Sequence, residues 1–156
     1  MKSKLLSSTG GRREWALVFD PGDEVMAELK GFAEKEHLHA AHFTGIGAFS
    51  EVTVAWFDLE SRSYRPIRIQ EQVEVLSFLG DVAEAKGRPS VHAHLCAAKR
   101  DGTAHGGHLQ KATVRPTLEV VLIESPAHLR KTDRPEFGLA LIDLGEKESG
   151  FPPRRE

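Results

Sequence analysis

A chain of 156 residues with a hydrophobic fraction of 40% and a charged fraction of 28% has the size and balance of one globular domain with a real core. Its formal net charge of −2 argues against the dominant basic face that carries non-specific DNA affinity, and no run approaches the ~20 apolar residues of a membrane-spanning helix. The single cysteine, Cys96, excludes an internal disulfide framework and suits a reducing cytoplasm.

Residues 1–12 read as a flexible leader: Met1-Lys2-Ser3-Lys4-Leu5-Leu6 is basic but runs into Ser7-Ser8-Thr9-Gly10-Gly11, so no secretory signal is expected. Trp15, Leu17 and Phe19 then alternate with Ala16, Val18 and Asp20 as a first strand. Pro21-Gly22 turns the chain, and Asp23 is a good N-cap for a helix that carries Val25, Met26, Leu29, Phe32 and Ala33 on one face and ends near His37. Residues 40–46 read as a second strand closing on Gly45-Ile46-Gly47, and 51–58 as a third with Val52, Val54 and Trp56 on one face. After the turn at Ser61-Arg62-Ser63, residues 64–69 pair back. Val73, Val75 and Ser77 alternate with Glu74, Leu76 and Phe78 until the chain breaks at Gly80.

Residues 118–124, rich in branched side chains, form a central-strand candidate, and 137–144 give the last strand. Residues 145–156, with two prolines and six charges, read as a loose tail, leaving a single domain over 13–144. One helix against about seven strands predicts an α+β fold, a twisted, mostly antiparallel sheet with the helix packed on one face. Several strands are apolar on both faces, as with Leu76 and Phe78 opposite Val73 and Val75, so the sheet is expected to curl into a partial barrel or to be covered in a homo-oligomer.

The residues that point to chemistry are histidines. His92 and His94 are two apart, which in a strand puts both imidazoles on one side of the sheet. Asp101-Gly102 is a hairpin signal, and a three-residue loop from Arg100 to Gly102, with Gly102 left-handed, sets His94 opposite His108. Three neutral imidazoles then converge around one open position, a common way to hold zinc or another divalent metal that still binds water or a ligand. A two-residue turn would instead send His108 to the other face and make His105 the third ligand. Cys96 shares the face of His92 and His94 as a softer donor, although a lone cysteine is more often a small buried hydrophobe.

Pro21-Gly22-Asp23 before the helix, Phe43-Thr44-Gly45-Ile46-Gly47-Ala48 after it, and His92-Ala93-His94 followed by Gly106-Gly107-His108-Leu109 together resemble the plant and prokaryote conserved (PPC) domain family, from about Trp15 to Leu144. The resemblance implies a compact α+β domain assembling as a homotrimer, with zinc at His92, His94 and His108. The same histidine pattern is similar to that of acetolactate decarboxylase, which implies an alternative: a zinc-dependent lyase or hydrolase acting on a small oxo or hydroxy acid. Such an enzyme needs acid, base or charge-stabilising groups near the metal, and Glu119 and Arg115 are the nearest candidates in sequence. Glu119 reads equally well as a polar strand residue or a partner of a ligating histidine.

The family is also associated with DNA. Lys86-Gly87-Arg88-Pro89 is close to an AT-hook core but lacks flanking basic residues and reads as a loop, and the short clusters Arg12-Arg13, Lys99-Arg100, Arg130-Lys131 and Arg154-Arg155 read as solvated surface.

Overall fold

A computed structural model describes residues 1–145; the greater part of the expected tail, from 146 on, lies outside the described residues. Nine strands and one helix are present among them. Strands β1 (Lys2–Thr9) and β2 (Arg12–Phe19) precede helix α1 (Val25–Lys35). Then come β3 (Ala40–Asp58), β4 (Ser63–Ile69), β5 (Val73–Ala85), β6 (Arg88–Ala98), β7 (Ala104–Glu124), β8 (Arg130–Arg134) and β9 (Leu139–Asp143). All strand pairs are antiparallel except the short contact of β5 with β8. Within the sheet order β1-β2-β7-β3-β5-β8-β9, β4 adds to β3, and β6 bridges β5 and β7. Strands β3, β5, β6 and β7 therefore curl into a partial ring, the α+β architecture the pattern predicts. No helix among the described residues is long and apolar enough to cross a membrane.

The core lies between the inner face of this ring and α1, which packs on β6 and β7. Leu17, Phe19, Phe43, Phe49, Phe78, Leu118 and Leu122 are almost completely buried there, and Trp15 meets Phe32 of the helix edge to face at 5.3 Å. Alternation within β2 has its expected cause: Trp15, Leu17 and Phe19 point inward while Val18 faces out. The helix buries the five residues its periodicity selects. Its N-cap, however, is Glu24 rather than Asp23. The Glu24 carboxylate accepts from the backbone N–H groups of Met26 (3.3 Å) and Ala27 (2.8 Å), and its Oε1 also accepts from Ala112 of β7 (3.2 Å). Asp23 instead closes the preceding turn by accepting from the Asp20 backbone N–H at 2.9 Å.

Three further expectations are corrected. Residues 2–9, read as leader, form edge strand β1, joined to β2 by a turn at Gly10 and Gly11, both at positive φ. All eight β1 residues are exposed, so no buried face imposes the period-two signal that reveals a strand. Gly45-Ile46-Gly47 does not end a strand. It lies inside the 19-residue β3, opposite a bulge in β5 between Val75 and Phe78, where the backbone presses on β7 so closely that a Cβ on Gly47 would lie 2.3 Å from the Thr117 carbonyl oxygen. Gly80 likewise does not break β5. It pairs with Phe43 on one side and Ala93 on the other, and β5 continues to Ala85.

Candidate metal centre

The β6–β7 hairpin has the three-residue loop. Lys99 N–H donates to the Thr103 carbonyl at 2.9 Å, and Gly102 adopts φ +82°. This register pairs His94 with His108. Beyond that pair β7 leaves β6 for β3, Ala55 facing His108, so the His108 ring is held at the junction of three strands. The rings of His92, His94 and His108 approach to centroid separations of 5.1, 5.1 and 5.6 Å, and one nitrogen from each lies within 4.8 Å of the others. His105 pairs with Ala97, and neither it nor Cys96 joins the cluster.

The surroundings orient the rings. The turn at Lys86-Gly87 pairs Asp81 with His92, and the His92 Nδ1 lies 3.4 Å from an Asp81 carboxylate oxygen. That contact favours the proton on Nδ1 and leaves Nε2 as the donor, the usual role of a carboxylate behind a ligating histidine. The nearly buried Lys131 of β8 reaches the other Asp81 oxygen at 2.5 Å. Burial pushes the Asp81 carboxyl up, but His92 and Lys131 outweigh it and hold the group below its ordinary value. On the far side Tyr64 of β4 stacks on His108, centroids 4.5 Å apart.

Burial, then the neighbouring His92 and His94, push the His108 imidazole down to about 4. His94 is lowered by burial and by His92. Both rings are therefore neutral at physiological pH with lone pairs free. The His108 Nδ1 is buried with no hydrogen-bond partner among the described residues. A ring nitrogen in that state costs about 1–3 kcal/mol. Coordination to a cation relieves it, so the donor set fits a divalent ion of zinc's type.

The folded value of His108 lies below that of the unfolded chain, so as pH falls from about 6.5 toward 4 the unfolded state takes up the proton first. Stability of the chelator-treated protein is full above this window and declines within it. Urea midpoints at pH 7.5 and 5 should show that decline, and His108→Gln should reduce it.

Asp81, Lys131 and Tyr64 carry no signal in the sequence that singles them out. Of the expected acid and base candidates, the structure brings neither to the histidines. Glu119 and Arg115 are exposed further along β7, and Glu119 lies on the outer face of the sheet between Val18 and Ile46. Lys86 and Gly87, with φ of +53° and +78°, form a tight hairpin turn rather than an extended hook, and Lys86 pairs with Asp133 at 2.9 Å. Three of the other basic clusters are also met by carboxylates, Arg13 by Glu36 and Glu124, Lys99 by Glu71 and Arg130 by Glu84, while Arg154-Arg155 lies outside the described residues.

Fold and geometry together define a small α+β domain with a three-imidazole cluster at the mouth of a partial ring. The model of the Plants and Prokaryotes Conserved (PCC) domain matches residues 6–126, and the chain belongs to this family. It is similar to a metal-containing protein from Archaeoglobus fulgidus, with 28% identity, TM-score 0.78, and 91% of this chain and 99% of that one covered. A candidate DNA-binding protein from Ralstonia eutropha JMP134 is 30% identical, with TM-score 0.78 over 84% of this chain and 91% of its own. Among curated proteins, the bifunctional protein GlmU of Synechococcus sp. (strain JA-3-3Ab) is 30% identical over 148 residues, 93% of this chain but only 22% of that protein. The chain thus spans about a fifth of the curated relative it matches. The likeness to α-acetolactate decarboxylase from Bacillus subtilis strain 168, at 12% identity and TM-score 0.54, is one of fold alone.

Proposed function

We propose that this protein is a homotrimeric binding module in which His92, His94 and His108 hold one zinc ion per chain, with an open coordination position for a small ligand. The observation that carries the reading is the convergence of three imidazoles, two of them lowered in pKa, around a ring nitrogen that has no partner among the described residues. The resemblance to a metal-containing relative over nearly its whole length supports it. Zinc bound there would supply Lewis acidity; this chain's residues supply orientation, through Asp81 behind His92 and Tyr64 against His108. Asp81, the carboxylate behind His92, is itself held by Lys131, which suits it to orienting a ligand more than to moving a proton.

The assembly reading rests on the outer sheet face, and its three-fold order on the resemblance to the PPC family. Ala16, Val121, Thr44, Leu79 and His94 form one cross-strand row over β2, β7, β3, β5 and β6. Beside it Val18, Ile46 and Leu76 are also exposed around Glu119, so a largely apolar surface reaches the metal cluster. A neighbouring copy on this face would cover that surface and wall the open coordination position. The carboxylate-paired basic clusters make a poor phosphate footprint, so DNA contact is the weaker reading despite the relatives' names.

Zinc content and native mass from one purified sample test both parts. The wild type should carry one more zinc per chain than a His92→Ala, His94→Ala double variant and show three times the chain mass. Equal zinc in the two proteins refutes the site, and a monomeric mass refutes the assembly. A finer expectation concerns Asp81→Asn, which keeps the shape but weakens the acceptor behind His92. Zinc Kd should rise ~10- to 100-fold with the fold intact, read by competition with a chromogenic chelator.

A further inference from the structure

A second group of donors lies at the other margin of the sheet. His39 directly precedes β3, Glu84 is near the end of β5, and His128 is in the loop between β7 and β8. Backbone hydrogen bonds stitch these segments together: Leu129 N–H donates to the His39 carbonyl (3.2 Å), and Glu84 N–H donates to the Leu129 carbonyl (2.8 Å). Ser125 N–H donates to the Ala40 carbonyl at 2.8 Å, fixing the other end of the loop. One donor atom from each of His39, Glu84 and His128 falls within 4.8 Å of the others.

We propose that His39, Glu84 and His128 form a second binding site for a divalent transition-metal ion, independent of the three-histidine cluster. Asp81 and Glu84 are three apart in a regular stretch of β5, so they project from opposite faces of that strand and the two sites do not share a face. The His39 Nδ1 is buried with no hydrogen-bond partner among the described residues, and it lies 3.4 Å from Glu84 Oε2. Two donors bound at ~2.1 Å around a tetrahedral ion stand about 3.4 Å apart. Arg130 lies 3.7 Å from the other oxygen, Oε1, which leaves Oε2 to face His39. Two imidazoles and a carboxylate are the donor set of many three-ligand zinc sites.

His128 stacks on His39 with ring centroids 4.6 Å apart and an interplanar angle of 14°. Parallel rings cannot both aim their in-plane lone pairs at one ion. Closing the site therefore requires the exposed His128 ring to rotate about its side-chain torsions, making it the arm that completes coordination around the His39–Glu84 pair.

Isothermal titration of the full chain with zinc alone at pH 7.5 tests this by difference. A His39→Ala, His128→Ala double variant should bind one zinc per chain fewer than the wild type. The decrement is two to one if the three-histidine site also binds, and one to none if that site fails, so the two readings are judged separately. Equal stoichiometry in wild type and variant overturns the proposal. Should the double variant melt differently in chelator, His128→Ala alone, at an exposed position, is decisive: it must weaken the second equivalent at least ~10-fold, and an unchanged isotherm overturns the proposal.

Discussion

Replacing His92 and His94 together with alanine should abolish zinc binding at the hairpin, the largest functional effect expected of any change in this chain. An outer partner of a ligating histidine is worth 10- to 100-fold in affinity, so taking ~100-fold as a floor for each lost ligand gives a loss on the order of 10⁴-fold. The consequence is also thermodynamic. Zinc at ~1,000 times its Kd stabilises a folded protein by about 4 kcal/mol, so the wild type should gain a clear rise in Tm on zinc addition. The double variant should lose the part of that rise that this site supplies. Both residues lie mid-strand on the open face of β6, His94 exposed and His92 half-buried, so the chelator-treated variant should melt close to the chelator-treated wild type. Differential scanning calorimetry with and without zinc separates the two effects.

Gly80→Ala is expected to be the most damaging small substitution. A Cβ there would lie 2.2 Å from the His92 carbonyl oxygen and 2.4 Å from Cζ of Phe43. The first obstacle is backbone, so it cannot swing aside; relief requires β5 and β6 to separate where the sheet closes on itself. Overpacking of this kind costs about 3 kcal/mol, and in a chain of this length that lowers Tm by roughly 10 °C. Because the displaced carbonyl belongs to His92, zinc affinity should fall as well. A thermal melt and a zinc titration of the same variant check both, and a melt unchanged within a degree would contradict the packing argument.

Gly80 also shows why sequence reading stops where it does. A glycine after an alternating run reads as a strand end, because its lack of a side chain says nothing about whether solvent or another backbone fills the space. Here the space belongs to β6 and Phe43, a non-local fact. Ending β5 at Gly80 hides Asp81, although the tight turn at Lys86-Gly87 sets Asp81 opposite His92 once the strand is continued. Tyr64 and Lys131 reach the cluster from β4 and β8, and no local spacing connects either to a histidine.

The opposite holds for the histidines themselves. His92 and His94 share a face by strand period, and Gly102 fixes the loop length that brings His108 across, so the geometry is carried by local residues. The helix face is equally readable from its apolar spacing, while its cap shifts by one residue because Glu24 reaches two of its own backbone groups and one on β7. The expected acid and base fail for the reason Tyr64 escapes notice. Proximity in sequence along β7 places Glu119 and Arg115 near His108, but a 21-residue strand carries its far end out of reach.

Anomalous diffraction at the zinc edge from zinc-loaded crystals of the His39→Ala, His128→Ala variant, which isolates the hairpin site, tests the central claim most directly. One strong peak per chain, about 2.0–2.1 Å from a nitrogen of each of His92, His94 and His108, is the predicted result. A fully loaded crystal with no peak among those three rings, or with the rings turned apart, would contradict it.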